Sequence, residues 1–286
     1  MTDNLEKRSL GKLYVTATPI GNLEDITLRA IRILREVDEI YAEDTRRTRK
    51  LLQAYQIDTP IYSLYDAVEK KRSRTVIDRL AAGSSIAYVS DAGTPGISDP
   101  GYLLISEALQ AGMPVVPVPG VSAVVAALSA SGLPMHAFVF QGFLPAKPGQ
   151  RRRMLNDCRT EKRTMVFYES PRRLRSCLED IGKLMGTRPI VVARELTKLH
   201  EEFIRGSTEE ILETLSGRSL KGEITLIIGG RQEKERGYSD EELMDMLREL
   251  GREASLSLRD RVARVTEMTG LPRKNIYQIA LTGKFS

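Results

Sequence analysis

The segment Asp91–Gly101, with the sequence DAGTPGISDPG, has the residue types of a ligand-binding loop. It contains three glycines and two prolines, and it directly follows the apolar run IAYVS. Glycine lets the backbone approach a ligand closely, and proline fixes the shape of a loop. The loop carries carboxylates and backbone carbonyls but no lysine or arginine.

Two further loops, Thr18–Asn22 (TPIGN) and Pro119–Ala123 (PGVSA), also follow predicted strands. Ligands of open α/β sheets bind at the carboxyl ends of strands, so the three loops together predict one wall of a pocket. Each loop alone is also compatible with a simple tight turn. The chain has neither the phosphate-binding pattern GxxxxGK[ST] nor the dinucleotide pattern GxGxxG. A sulfonium cofactor with an uncharged adenosine therefore suits the pocket better than a pyrophosphate.

Basic residues concentrate in one part of the chain. Ten basic and three acidic residues lie between Lys147 and Arg175, whereas the whole chain has a net charge of +5. A concentrated basic segment indicates a polyanionic partner. A solvated surface with no partner is the alternative interpretation.

Alternating strands and helices position these loops. We predict strands at Leu13–Thr18, before Glu43, near Ile61, and at Ser85–Val89 and Val115–Val118, with helices between them. This alternation predicts a mostly parallel sheet. The pattern then restarts, with predicted strands at 138–142, 164–168, 190–194 and 224–228. The predicted domains are an N-terminal α/β domain at 11–118 and a C-terminal α/β domain at 119–230.

A polar linker, GGRQEKERGYSD, precedes a predicted helical module at 239–286. Its last two helices are separated by Gly270, which suits a left-handed helix end. This arrangement resembles a helix-turn-helix, with Arg273, Lys274 and Asn275 at the start of the second helix. The near-neutral charge of the module favours the alternative of a small bundle.

The composition is that of an ordinary globular protein, with 41% hydrophobic and 28% charged residues. No apolar run approaches the ~20 residues of a membrane span, and the first ten residues lack the apolar core of a signal peptide. We therefore expect a cytoplasmic protein with no membrane partner. The chain has two cysteines and two histidines, scattered along its length, so we expect no metal site and no disulfide.

Eight stretches occur in order between Ala17 and Ile228: ATPIGNLEDITLRAI, EDTRRTRKLL, VSDAGTPGISDPG, VPGVSAVVAALSASGLP, GFLPAKPGQRRRML, FYESPRRL, RELTKLHEEFIRG and GEITLII. They resemble the tetrapyrrole methylase superfamily, and within it the ribosomal RNA small subunit methyltransferase I family. The resemblance implies a fold of two α/β domains with the cofactor cleft between them, followed by the small helical module. It implies S-adenosylmethionine as cofactor, a homodimer, and 2′-O-methylation of a cytidine in the decoding region of small-subunit rRNA. The partner would be the rRNA or the assembled small subunit.

The sequence departs from the family pattern at two places. Where the family has a histidine-containing stretch, this chain reads Tyr65-Asp66-Ala67-Val68-Glu69, and where the family has ESPHR it reads ESPRR at Glu169–Arg173. Two family histidines are therefore absent, and any role they have must be dispensable or reassigned.

Methyl transfer to a ribose hydroxyl needs a group that accepts the hydroxyl proton. The candidates are Glu43, Asp44 and Glu169, with Glu195 and Lys198 as further options. Asp44 can instead cap the following helix, and Glu169 can pair with nearby arginines. The residues that we expect to contact the cofactor are Pro19, Asp91, Gly93, Thr94, Ile97, Ser98, Ser122, Ala123, Tyr168 and Ile224.

Several basic residues are candidates for contacts with RNA phosphates, which give affinity without reading the sequence. For Arg151, Arg152 and Arg153 the alternative is pairing with surface carboxylates. The candidates are Arg46, Arg47, Arg151, Arg152, Arg153 and Lys198.

Two other functions are compatible with the same residues. One is methylation of a tetrapyrrole or another small molecule on the same fold, because a porphyrinoid carboxylate can also use a basic segment. The other is RNA binding without catalysis, which cofactor affinity would distinguish from an enzyme.

Overall fold

The computed structural model describes residues 10–232, 238–252 and 256–282. The expectation drawn from the first ten residues therefore lies almost wholly outside the described residues, as does part of the predicted linker. The chain forms two compact units, Met1–Arg231 and Gln232–Ser286. The finer domain boundaries near 118 and 230 stay predictions.

The first unit contains two five-stranded sheets, of which the first is entirely parallel, with the strand order β3-β2-β4-β1-β5. Its crossover helices place the carboxyl ends of all five strands at one edge. Its elements are β1 (Leu13–Thr16), α1 (Leu28–Glu36), β2 (Glu39–Ala42), α2 (Thr45–Ala54), β3 (Ile61–Ser63), α3 (Asp66–Ala81), β4 (Ile86–Val89), α4 (Tyr102–Gln110) and β5 (Val115–Val118).

Local capping sets where the first helices begin. Thr27 caps α1, because its hydroxyl accepts a hydrogen bond from the Ala30 amide at 3.0 Å. A short 3-10 turn at Leu23–Asp25 precedes this cap. Asp44 caps α2 by accepting from the Arg46 amide at 2.9 Å. These caps satisfy amide groups that a helix leaves without partners in its first turn.

The second sheet is mixed, with the strand order β6-β7-β10-β8-β9. β6 and β7 are parallel, and the other neighbours are antiparallel. The predicted strands of this half are present, but β9 was not predicted. Its elements are α5 (Ala123–Ser129), β6 (Phe138–Phe143), α6 (Pro148–Asp157), β7 (Thr164–Glu169), α7 (Leu174–Met185), β8 (Ile190–Arg194), β9 (Glu202–Gly206), α8 (Thr208–Thr214) and β10 (Ile224–Ile228).

Apolar side chains cover both faces of each sheet. One core beneath the second sheet contains Ile20 from the loop after β1, together with Val124 of α5 and Val191 of β8. Burial of such side chains contributes about 25 cal/mol per Å² of apolar surface removed from water. This shared core therefore holds the loop after β1 against the second sheet.

The described residues of the second unit form three helices, α9 (Asp240–Gly251), α10 (Leu258–Thr269) and α11 (Arg273–Thr282). Gly270 ends α10 in the left-handed conformation, with φ of 70°, as its position predicted. The unit has an apolar core of its own, formed by Leu243, Leu247, Val262, Val265, Ile276 and Ala280.

Within the described part of the chain, no helix is both long and apolar enough to cross a membrane. In that same part, no cluster of three or more histidine, cysteine or acidic side chains has the arrangement of a metal site. Cys158 and Cys177 are both free thiols.

Candidate active site

A cavity of about 370 Å³ lies where the carboxyl ends of the parallel strands meet the second sheet. The three loops predicted from the sequence all contribute to its wall, and β7 and β10 supply the opposite side. The lining residues are Ile20, Glu43, Arg47, Asp91, Ala92, Gly93, Thr94, Ile97, Ser98, Asp99, Ser122, Ala123, Phe143, Tyr168, Glu169, Ser170, Pro171, Leu196, Gly222, Glu223, Ile224 and Thr225.

Most of the predicted site residues meet at this cavity. Of the ten residues expected to contact a cofactor, Pro19 does not line the wall and the other nine do. The candidate proton acceptors Glu43 and Glu169 line it, and so does Arg47. The structure places the remaining predicted residues outside the wall, and these are Asp44, Arg46, Arg151, Arg152, Arg153, Glu195 and Lys198.

Gly93 ties two of the loops together. Its amide and carbonyl exchange hydrogen bonds with those of Thr18, each 2.9 Å long. Its φ of 77° is in the left-handed region, where glycine has no steric penalty. The loop after β4 is thereby fixed against the loop after β1, and backbone rather than side chain faces the cavity here.

A charged network connects the ends of β2 and β4. The Asp91 carboxylate accepts a hydrogen bond from the Asp44 amide at 2.9 Å and lies 3.3 Å from the Arg47 guanidinium. The Asp91 amide in turn donates to Glu43 at 3.4 Å. Asp44 faces away, towards Arg46, whose hydrogen bonds hold the pKa of Asp44 at about 2. Asp44 therefore acts as a helix cap in this structure.

Glu169 ends β7 as a buried carboxylate, and its side chain is fully shielded from solvent. Its Oε1 lies 2.6 Å from the Arg173 guanidinium and accepts a hydrogen bond from the Ser170 amide at 2.7 Å. Burial, followed by the nearby Glu169 charge, raises the pKa of the Cys177 thiol well above its usual range. Cys177 is therefore a neutral core residue, and Glu169 holds the turn between β7 and α7.

Asp99 and Tyr168 lie near each other in the cavity wall. Burial raises the pKa of Asp99, and the negative charges of Asp91 and Glu223 raise it further. Burial also raises the pKa of Tyr168 to about 12, with contributions from Asp99 and Glu223. The Tyr168 ring is held by Phe140 and Phe143, with ring centroids 5.0 and 5.4 Å away.

The loop after β8 borders the same cavity. Lys198 lies 2.9 Å from Glu195 and 3.1 Å from Glu223, so its charge is already paired. Gly222 has a φ of 95°, and a Cβ on it would lie 2.2 Å from the Glu195 carboxyl carbon. Only glycine fits between these elements without displacing Glu195.

Backbone strain is concentrated around the cavity. Among the described residues, four non-glycine residues have positive φ: Gln56, Ser98, Glu195 and Thr197. Ser98 lines the cavity, and Thr197 accepts a hydrogen bond from the Asn22 amide at 3.1 Å. Three of the four therefore lie in loops beside the site, which is where folds commonly store strain.

Arg151 is placed differently from its prediction as an RNA contact. Its side chain is 4% exposed and lies 2.7 Å from the Asp180 carboxylate of α7. A guanidinium in this position cannot reach a phosphate without leaving its buried partner. Arg152, by contrast, is 54% exposed and 3.8 Å from Asp180, and Arg153 is exposed.

Glu69 and Arg172, which stand at the two departures from the family pattern, differ in burial. Glu69 is buried, and its carboxylate accepts a hydrogen bond from the Leu104 amide in the first turn of α4. A carboxylate stabilises the positive end of a helix. Arg172, in the ESPRR stretch, is exposed.

Some lining residues were not predicted. Asp99 lies inside the glycine-rich loop that the sequence predicts to bind a ligand. Its acidic side chain in that loop could have identified it as a candidate. Glu223 follows Gly222 at the start of GEITLII, one of the stretches that resemble the family, and that resemblance was the available signal. Leu196 reads as an ordinary apolar residue.

Comparisons with known proteins agree with this arrangement. The family of tetrapyrrole (corrin/porphyrin) methylases matches residues 12–212, and the family described as the RsmI C-terminal HTH domain matches residues 239–284. Among solved structures, uroporphyrin-III C-methyl transferase from Thermus thermophilus, in complex with S-adenyl homocysteine, is similar with a TM-score of 0.54 at 20% identity. That similarity covers 77% of this chain and 97% of the other.

Similar sequences share one name. The chain is 44% identical to ribosomal RNA small subunit methyltransferase I of Halalkalibacterium halodurans, over 94% of each chain. It is 48% identical to the protein of the same name from Thermotoga maritima, over 78% of this chain and 100% of the other. The chain therefore belongs to the tetrapyrrole methylase family and, within it, to the ribosomal RNA small subunit methyltransferase I family.

Proposed function

We propose that this protein transfers the methyl group of S-adenosylmethionine to the ribose 2′-hydroxyl of a cytidine in the decoding region of small-subunit rRNA. The charge of the cavity carries the cofactor assignment. Five carboxylates and one arginine line it: Glu43, Asp91, Asp99, Glu169, Glu223 and Arg47. An anionic wall favours a cofactor that carries sulfonium and ammonium charges and disfavours a pyrophosphate.

The uncharged lining suits the rest of that cofactor. Ile97, Ala123 and Ile224 provide apolar surface for an adenine ring, and Gly93 permits close approach of backbone. S-adenosylmethionine, when bound, supplies an electrophilic methyl carbon. The task of the chain is to hold the acceptor oxygen about 3 Å from that carbon, to exclude water, and to take up the proton of the hydroxyl.

The choice of RNA as substrate is supported by relatives and by charge. The relatives at 44% and 48% identity are named for ribosomal RNA. Arg47 lines the cavity with its side chain 63% exposed, and Arg46, one residue earlier on α2, is 86% exposed. Arg152 and Arg153 present further positive charge on α6. Such residues bind phosphates without reading bases.

Product analysis tests the proposal. We expect purified protein, with labelled cofactor and small subunits that lack the modification, to give labelled rRNA. Alkali cleaves RNA through the free 2′-hydroxyl, so the label should be recovered in an alkali-resistant dinucleotide that contains methylcytidine.

Parallel reactions distinguish the alternatives. Free rRNA, assembled subunits and a porphyrinoid are each offered under the same conditions. Label on a base would contradict ribose methylation, and label on the porphyrinoid with unlabelled RNA would indicate a small-molecule methylase. Tight RNA binding without cofactor affinity would indicate a binding protein.

The exposed arginines of α6 give a second prediction. We expect the double variant Arg152→Ala/Arg153→Ala to bind rRNA more weakly, with a salt dependence that is shallower by about 0.7–0.9 units of slope for each phosphate that it no longer binds. Cofactor affinity should not change, because neither residue lines the cavity. Titrations of RNA at several salt concentrations measure both slopes.

The control variant Arg32→Ala/Arg79→Ala removes the same charge elsewhere. Both arginines have side chains 58% exposed and lie near surface carboxylates, Arg32 near Glu36 and Arg79 near Glu39. We expect the RNA affinity of this control variant to depend on salt with the same slope as that of the unmodified protein. Equal slopes for the two double variants would show that α6 is not part of the RNA-binding surface.

A further inference from the structure

Four of the five carboxylates in the cavity wall already accept from a guanidinium, an ammonium or a backbone amide of the protein. An oxygen that accepts from such a donor has fewer lone pairs left to accept a hydrogen bond from a substrate hydroxyl. The bonds join Glu43 to the Asp91 amide at 3.4 Å, Asp91 to Arg47 at 3.3 Å, Glu169 to Arg173 at 2.6 Å and Glu223 to Lys198 at 3.1 Å.

Asp99 differs from these four. In the described part of the chain it forms no ion pair, and the group that stabilises its charged form is the neutral hydroxyl of Ser90. It is half-buried in the wall, and the charged or titratable groups that act on it are Asp91, Glu223 and Tyr168. Asp91 and Glu223 are negative and favour the protonated form of Asp99, Tyr168 is neutral, and none of the three is a cation.

The backbone around Asp99 holds its position. The Gly96 amide donates to the Pro100 carbonyl at 3.1 Å, which closes the loop on both sides of Asp99. Gly101 follows with a φ of 125°, and a Cβ there would lie 2.4 Å from the buried Tyr88 ring. The carboxylate is therefore fixed at the wall rather than carried on a free loop.

We propose that Asp99 accepts the proton of the ribose hydroxyl that is methylated, an inference that rests on the proposed function. In this step the ribose oxygen gives its proton to the Asp99 carboxylate and forms the bond to the methyl carbon. The bond between that carbon and sulfur breaks, and its electron pair stays on sulfur. Burial and the neighbouring negative charges make Asp99 a stronger base than an exposed aspartate, which suits this task.

The substitution Asp99→Asn tests the assignment directly. We expect kcat for methylation of small subunits to fall between 10²- and 10⁴-fold, roughly the usual contribution of a general base. The Kd for S-adenosylmethionine, measured by calorimetry, should stay within about threefold, a difference in binding free energy of about 0.7 kcal/mol, because four carboxylates of the cavity wall remain. Asp99→Glu, which keeps a carboxylate, should recover part of the lost kcat, whereas a purely structural role would make Glu at least as harmful as Asn.

The pH profile adds a readout that a structural role does not affect. In the unmodified protein, kcat should rise with pH through the pKa of Asp99, because only its charged form accepts a proton. Glu223→Gln removes one of the charges that raise this pKa, so the rising limb should move to lower pH. Carbon-13 NMR of the aspartate carboxyls in the protein without substrate should show the same shift for Asp99.

Three results would overturn the assignment. One is a Kd for the cofactor raised about tenfold or more in folded Asp99→Asn, because the carboxylate would then hold the cofactor cation. The second is an unchanged kcat in that variant, and the third is a rising limb that does not move in Glu223→Gln. The proposed function is judged separately, by whether the unmodified protein yields the alkali-resistant dinucleotide at all.

Discussion

Arg151→Ala is expected to lower the free energy of unfolding by about 3–5 kcal/mol, the usual cost of removing one partner of a buried ion pair. The Asp180 side chain is only 9% exposed and would lose its closest cation. The Arg151 guanidinium also donates to the Ser176 carbonyl at 3.4 Å, so the variant removes a second hydrogen bond between α6 and α7. Urea unfolding followed by circular dichroism measures the change, provided that the dependence on denaturant keeps the same slope.

Two further variants show whether burial is the cause. Arg152→Ala removes the adjacent, half-exposed arginine and should cost less than about 1 kcal/mol. Arg151→Met/Asp180→Leu replaces both partners with apolar side chains of similar size and should recover most of the loss. Equal losses in Arg151→Ala and Arg152→Ala would show that the buried pair does not hold α6 against α7.

Gly93→Val is expected to weaken binding of S-adenosylmethionine at least tenfold, which corresponds to about 1.4 kcal/mol. A Cβ at Gly93 would already lie 3.5 Å from the Ile20 side chain and 3.7 Å from the Val121 carbonyl. The two methyl groups of valine need more room than this, in a cavity whose wall here is backbone. Calorimetry on the folded variant measures the effect.

Gly96→Val is the matched control. Gly96 has a φ of 82°, close to the 77° of Gly93, so both variants carry similar backbone strain. Gly96 is exposed and does not line the cavity, and a Cβ added to it would meet no other atom within 4 Å. We expect Gly96→Val to bind the cofactor as tightly as the unmodified protein does. Equal cofactor affinity in the two variants would show that Gly93 is not part of the cofactor site.

Local signals in the sequence predicted the strands and the loops that follow them. Apolar runs predict β1, β4 and β5. The glycines and prolines that follow these strands indicate where the cavity forms. Contacts between distant segments are not encoded locally. Nothing near Arg151 indicates that its partner is Asp180, 29 residues further along the chain. The charged neighbours that raise the pKa of Asp99 are Asp91, in its own loop, and Glu223, which directly precedes β10 of the second sheet.

The strained conformations of Ser98, Glu195 and Thr197 have an evolutionary consequence. A left-handed residue with a side chain costs roughly 1–2 kcal/mol relative to a relaxed one, so these loops lower the stability of the fold that carries them. Selection for growth at high temperature favours glycine at such positions, because glycine removes that cost. Selection for turnover favours the rigid loops that position the cavity wall. The two pressures therefore oppose each other at these three positions.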